Sequence, residues 1–102
     1  RREFMYAQDL ADFVFYAMNN FSAMPTMLNI GLGKDVLIND YYKVIAEAVG
    51  YKGGFTHDLS KPSGMRQKLI DTSKLQDFGW HAPTSLKQGI EKTYNYYLEL
   101  QA

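Results

Sequence analysis

S-K-P-S-G-M-R-Q-K-L-I-D-T-S-K-L-Q-D-F-G-W, running from Ser60 to Trp80, is the stretch on which the fold turns. Pro62 and Gly64 force a sharp loop over Leu59 to Met65, and Lys68 to Ile70 reads as a short strand. Thr72 to Phe78 reads as a brief helix that Gly79 ends, with Trp80 placed to fold back onto Leu75 in a Schellman cap. The stretch also holds Lys61, Arg66 and Lys68, three cations within eight residues. A guanidinium fork, an ammonium and loop N–H groups are what a phosphate or pyrophosphate needs. A solvated basic loop has the same composition, so spacing alone leaves both readings open.

Outward from that loop, helices and short extended runs alternate. Arg2 to Tyr6 reads as a strand by its aromatic content. A helix then starts at Asp9, which predicts a cap, and Asn19-Asn20 stops it. Its apolar stripe is Leu10, Phe13, Val14, Ala17 and Met18. Met27 to Ile30 and Val36 to Ile38 read as strands on either side of Gly31 and Gly33. The helix from Asn39 to Val49 carries Tyr42, Ile45, Ala46 and Val49 on one face, with Gly50 as the left-handed residue past its end. Phe55 to His57 is a further strand-like tripeptide. Ser85-Leu86-Lys87-Gln88 is a capping box opening a last helix that buries Leu86, Ile90, Tyr94, Tyr97 and Leu98. The expected architecture is small mixed α/β with three helices of useful length.

Composition narrows the classes. A length of 102 residues allows one domain. Eleven Lys+Arg balance eleven Asp+Glu, so no overall basic field recruits nucleic acid or an anionic membrane. Apolar residues make up 46% and aromatics 15%, which excludes a disordered chain. The absence of Cys excludes disulfides and thiolate chemistry and fits a reducing compartment, so a cytoplasmic location is expected. No apolar run is long enough to span a bilayer. The chain opens Arg1-Arg2-Glu3-Phe4 without Met, as a portion of a longer protein would.

Enzymatic signatures are mostly missing. Gly31-x-Gly33-x-x-Val36 lacks the third glycine of a dinucleotide loop, and the residues after it are extended before any helix starts, so it reads as a tight turn. His57 and His81 lack metal-ligand spacing, and no G-x-S-x-G elbow is present. A surface His57 and a half-buried His81 beside Trp80 are expected.

Taken in order, R-E-F-M-Y-x-x-D-L-A-D (Arg2 to Asp12), N-I-G-L-G (Asn29 to Gly33), V-G-Y-K-G (Val49 to Gly53), S-K-P-S-G-M, K-L-I-D, F-G-W and S-L-K-Q-G-I (Ser85 to Ile90) resemble the GDP-L-fucose synthase family. These are extended short-chain dehydrogenase/reductases that epimerise and reduce GDP-4-keto-6-deoxymannose. The first two motifs are shared widely among nucleotide-sugar enzymes. The Ser60 to Trp80 run is more particular to this branch.

The resemblance implies that residues 1–102 form a C-terminal substrate-binding domain, with the Rossmann domain absent. No G-x-x-G-x-x-G occurs here, and no Tyr is followed by Lys four residues later. NADP(H) and the catalytic residues are therefore expected in the full-length enzyme, with no cofactor, metal or turnover in this piece alone. Arg2 matches a family Arg on the GDP-sugar, and Lys68 a Lys near the same ligand. Ser63 falls where an Asp often stands. Gln67 replaces an Arg, while Arg66 keeps a positive charge one place earlier. Arg2, Lys68, Ser63 and Arg66 are thus the implied substrate-binding residues. Leu37 stands where a Ser/Thr cap is usual, so Asn39 is expected to take over capping. The implied partners are the GDP-sugar, the Rossmann domain and a second copy in a homodimer. Tyr6, Phe13, Tyr16 and Tyr41 are candidates for the face that the missing domain covers. Two alternatives stay open: another nucleotide-sugar epimerase/reductase of the same family, or a stand-alone binding module without chemistry.

Overall fold

A computed structural model describes residues 1–102. Four α-helices follow in order: α1 (Ala7–Asn19), α2 (Ile38–Val49), α3 (Ser73–Phe78) and α4 (Leu86–Gln101), with one 3-10 turn at Phe21–Ala23. The mixed character is present, but the expected strands shrink to one antiparallel bridge between Arg2 and Val36. Its two residues exchange both backbone hydrogen bonds, at 3.0 and 2.9 Å. On the other side of Arg1, Lys68 N donates to Arg1 O at 3.4 Å. Three extended segments therefore lie side by side without becoming a sheet. Met27 to Ile30 and Phe55 to His57 make no backbone pairing at all. A strand needs a ladder partner along several residues, and these runs do not find one.

The helix ends follow the local chemistry closely. Ser85 Oγ accepts from Gln88 N at 3.2 Å, and Gln88 Oε1 accepts from Ser85 N at 3.1 Å, completing the capping box. Gly50 and Gly79 sit at φ +76° and +94°, where a Cβ is costly. Past α3, Gly79 N donates to Gln76 O and Trp80 N to Leu75 O, at 2.9 and 3.3 Å. That pair is the Schellman pattern, and it seats Trp80 against Leu75.

Asp9 does not cap α1. The helix starts two residues earlier, after Tyr6, with no side-chain cap. The Asp9 side chain turns inward instead and accepts from Thr84 Oγ1 and Thr84 N, at 2.6 and 3.1 Å, which ties α1 to the entry of α4. Asn39 likewise does not cap α2, since Leu37 occupies the cap position and Asn39 Oδ1 meets His57 Nε2 at 2.9 Å.

The fully buried core is small: Phe13, Ala17, Leu75 and Trp80, with Tyr16, Met24 and Phe78 packed around it. Phe13 meets Trp80 edge to face at 5.2 Å, and Trp80 Nε1 donates to Asp12 at 3.0 Å. Burying each large side chain contributes about 1.5–3 kcal/mol. Of the expected α1 stripe only Phe13 and Ala17 turn inward; Leu10, Val14 and Met18 are exposed. The last helix departs in the same way, with Tyr97 and Leu98 exposed. The aromatic face is also redistributed. Phe13 is buried, Tyr16 Oη donates to Phe78 O, and Tyr41 stacks on Phe4 at 3.6 Å. Tyr6 is half-buried under Lys92. The exposed large side chains are others, among them Phe15, Phe21 and Met27.

Candidate functional site

Two depressions compete as a site. The first is an apolar cleft of about 370 Å³ between α2, α4 and the residues from Phe4 to Tyr6. Tyr41, Ile45, Ile90 and Tyr94 form much of its wall, and no cation lines it. The second is an open hollow of about 530 Å³ formed by Arg1, Arg2, Ile38, Ser63, Gly64, Met65 and Arg66. It has three guanidinium groups and no carboxylate in its lining. Only the second suits a polyanion.

The cationic hollow draws its residues from two places far apart in the chain. Arg2 enters at the bridge with Val36, and its Nη1 donates to Arg1 O at 2.7 Å, which fixes the guanidinium. Gly64 lies against it: a Cβ at that position would stand 3.5 Å from Arg2 Nη2. Ser63 and Arg66 arrive on the loop after Pro62. Arg2, Ser63 and Arg66 thus line one hollow. Lys68 lies outside the lining, and its backbone N–H goes to Arg1 O. Arg1 joins the hollow as well, so the adjacent cations Arg1 and Arg2 at the start of the chain both meet the loop.

Two carboxylates hold the loops in place behind the hollow. Glu3 Oε2 accepts from Leu32 N at 2.9 Å and Oε1 from Ile70 N at 2.7 Å. Asp35 Oδ1 accepts from Arg1 Nε at 2.7 Å and Oδ2 from Gln67 Nε2 at 2.6 Å. The Gln67 amide and then the Arg1 guanidinium hold the Asp35 carboxyl below the usual carboxylate range. Ser73 does the same for Asp71 at the start of α3, through its hydroxyl and its N–H.

The glycines of Asn29 to Gly33 serve packing. A Cβ on Gly31 would meet Glu3 Oε2 at 2.7 Å, and one on Gly33 would meet Thr72 Oγ1 at 2.5 Å. Their open sides are occupied by this chain's own residues, so the loop does not fit a dinucleotide phosphate cradle. His57 is exposed, as expected; His81 is exposed rather than half-buried. Trp80 fills the core without it, because the indole N–H already has Asp12. No group of three or more His, Asp or Glu residues is arranged to hold a metal. No helix is long and apolar enough to cross a membrane.

No family model matches the chain. GDP-L-colitose synthase of Yersinia pseudotuberculosis is 59% identical over 98 residues, 96% of this chain and 32% of that protein. GDP-L-fucose synthase of Azorhizobium caulinodans is 42% identical over 98 residues, 96% of this chain and 31% of that protein. Among solved structures, the GDP-mannoheptose C4 reductase MlghC of Campylobacter jejuni, with NADP bound, superposes with a TM-score of 0.81. Its identity is 33%, over 95% of this chain and 31% of that one. The chain spans about a third of the length of the curated relatives it matches. Along essentially its whole length, the chain resembles a C-terminal region of GDP-L-fucose synthases and related GDP-sugar reductases, and the Rossmann domain lies outside the match.

Proposed function

We propose that the protein carrying this chain is an NADP(H)-dependent GDP-sugar epimerase/reductase, and that residues 1–102 are its substrate-binding domain. The reaction is conversion of GDP-4-keto-6-deoxy-D-mannose to GDP-L-fucose by epimerisation and reduction. The observation that carries the reading is the hollow of Arg1, Arg2, Ser63 and Arg66, three cations without a lining carboxylate. A pyrophosphate offers oxygens that forked guanidinium groups bind in pairs, and Ser63 adds a neutral hydroxyl. Lys68, which is not in that lining, contributes its charge at longer range.

NADP(H) belongs with the part of the protein that the match leaves uncovered, since Gly31 and Gly33 are packed against Glu3 and Thr72. The chain by itself then has neither turnover nor NADPH affinity. The intact protein is a cytoplasmic homodimer on this reading, completed by a Rossmann domain.

One observation favours a second product. Identity to a GDP-L-colitose synthase is 59%, against 42% for a GDP-L-fucose synthase. The full-length protein should be incubated with NADPH and the keto-sugar precursors of GDP-L-fucose and of GDP-L-colitose in turn, and the products identified. Turnover of the first supports the main reading, and turnover of the second alone moves the assignment to colitose. NADPH oxidation with neither sinks both.

A further inference from the structure

Residues Ser63 to Ile70 have no helix or strand of their own and are exposed. Whatever holds Ser63 and Arg66 opposite Arg2 must therefore come from outside the segment. One backbone bond helps: Lys68 N donates to Arg1 O at 3.4 Å. Asp35 adds a link of a different kind. Its two oxygens accept from Arg1 Nε at 2.7 Å and from Gln67 Nε2 at 2.6 Å, joining the two walls of the hollow through side chains. The Asp35 side chain is only 5% exposed, whereas that of Arg1 is 45% exposed. A carboxylate so shielded, with one donor on each oxygen, leaves each donor little freedom of orientation.

The adjacency of two residues makes this matter, because Arg66 sits at a bend directly before Gln67. Gln67 reaches toward Asp35, and Arg66, one residue before it, lines the hollow. Anchoring the Gln67 amide therefore sets the direction in which Arg66 projects. Asp35 itself is absent from the lining.

We propose that Asp35 is a positioning residue for the binding of the GDP moiety, clamping the Arg66–Gln67 wall to the Arg1–Arg2 wall so that their guanidinium groups converge on one polyanion. The inference rests on the substrate-site reading above. It acts on affinity and leaves the chemical step alone, because on that reading the catalytic residues lie outside this chain.

The test uses the full-length protein, with GDP as the probe in titration calorimetry and the GDP-keto sugar in steady-state kinetics. In Asp35→Asn, the amide presents N–H to a donor where an acceptor stood. GDP should bind about threefold to tenfold more weakly and KM should rise in parallel, the effect of one lost hydrogen bond, while kcat holds. Asp35→Asn/Gln67→Glu rebuilds the link with donor and acceptor exchanged, so GDP affinity should return to within about twofold of wild type. Wild-type GDP affinity in Asp35→Asn, beside a clear loss in Arg66→Ala, would overturn the positioning role while leaving the site in place. A double variant as weak as the single one would overturn it too, since the loss would then follow the charge at position 35 and not the link. Unchanged GDP binding in both Arg2→Ala and Arg66→Ala would remove the site itself, a different failure.

Discussion

Arg66 and Lys68 carry the same charge two positions apart, yet only Arg66 lines the hollow with Arg2. Charge near a ligand and a guanidinium in its wall are different interactions. The first is screened over about 8–10 Å at moderate salt, and the second makes directed, charge-assisted bonds. In the full-length protein, Arg66→Ala should raise KM for the GDP-sugar about tenfold or more, and Lys68→Ala by less than about threefold. Arg2→Lys should also raise KM although the charge is kept, because an ammonium cannot bind two oxygens as a fork does. Equal KM values for the Arg66→Ala and Lys68→Ala enzymes would show that both are long-range charges. Asp9 makes a related point about position. A carboxylate in the first turn of a helix ordinarily serves that helix, but here it satisfies the N–H and the hydroxyl of Thr84.

At the scale of elements, α3 is six residues long and too short to stand on helix propensity alone. Its two ends hold it. Asp71 accepts from Ser73 N at 2.9 Å at the start, and the Schellman turn at Gly79 closes the end. Gly79 at φ +94° also lies under Tyr16, where a Cβ would come 2.7 Å from the hydroxyl. That hydroxyl donates to Phe78 O at 2.8 Å. Gly79→Ala therefore strains the backbone and displaces Tyr16 together. It should destabilise the protein by about 1–3 kcal/mol, read as a lower midpoint in chemical denaturation. An unchanged midpoint would mean that Tyr16 swings away freely and that the turn tolerates a side chain. The effect reaches the core because Leu75 and Trp80 are the residues that this turn brings together.

As a whole, the molecule is a slab. Its extents are 50 × 37 × 17 Å, and its radius of gyration is 16.5 Å, against about 13 Å for a compact chain of this size. Only 8 of 102 residues are fully buried, while Phe15, Met18, Phe21 and Met27 are each more than two thirds exposed. Apolar surface of that extent and zero net charge both favour association. Residues 1–102 alone should sediment as concentration-dependent oligomers and melt with weak cooperativity. A monomer at high concentration with a sharp transition would show that the slab is self-sufficient.

Helix positions and most helix ends, the caps of α1 and α2 excepted, were legible from the amino-acid order because they depend on neighbours. Ser85 with Gln88, Gly50 and Gly79 each act within one turn of chain, and the motif series that carries the family resemblance is likewise linear. Arg2, Ser63 and Arg66 could be nominated the same way, as residue types at matching places. Their meeting could not, because it depends on the Arg2–Val36 bridge and on Asp35 reaching Gln67 across 32 positions. The strands were over-read for the same reason: extended propensity is local, but a ladder requires a second segment in register. Which face of α1 turns inward was also decided in three dimensions. Asp9, Phe13 and Ala17 go in because Thr84, Leu75 and Trp80 stand there to receive them, whereas the apolar Leu10, Val14 and Met18 stay exposed.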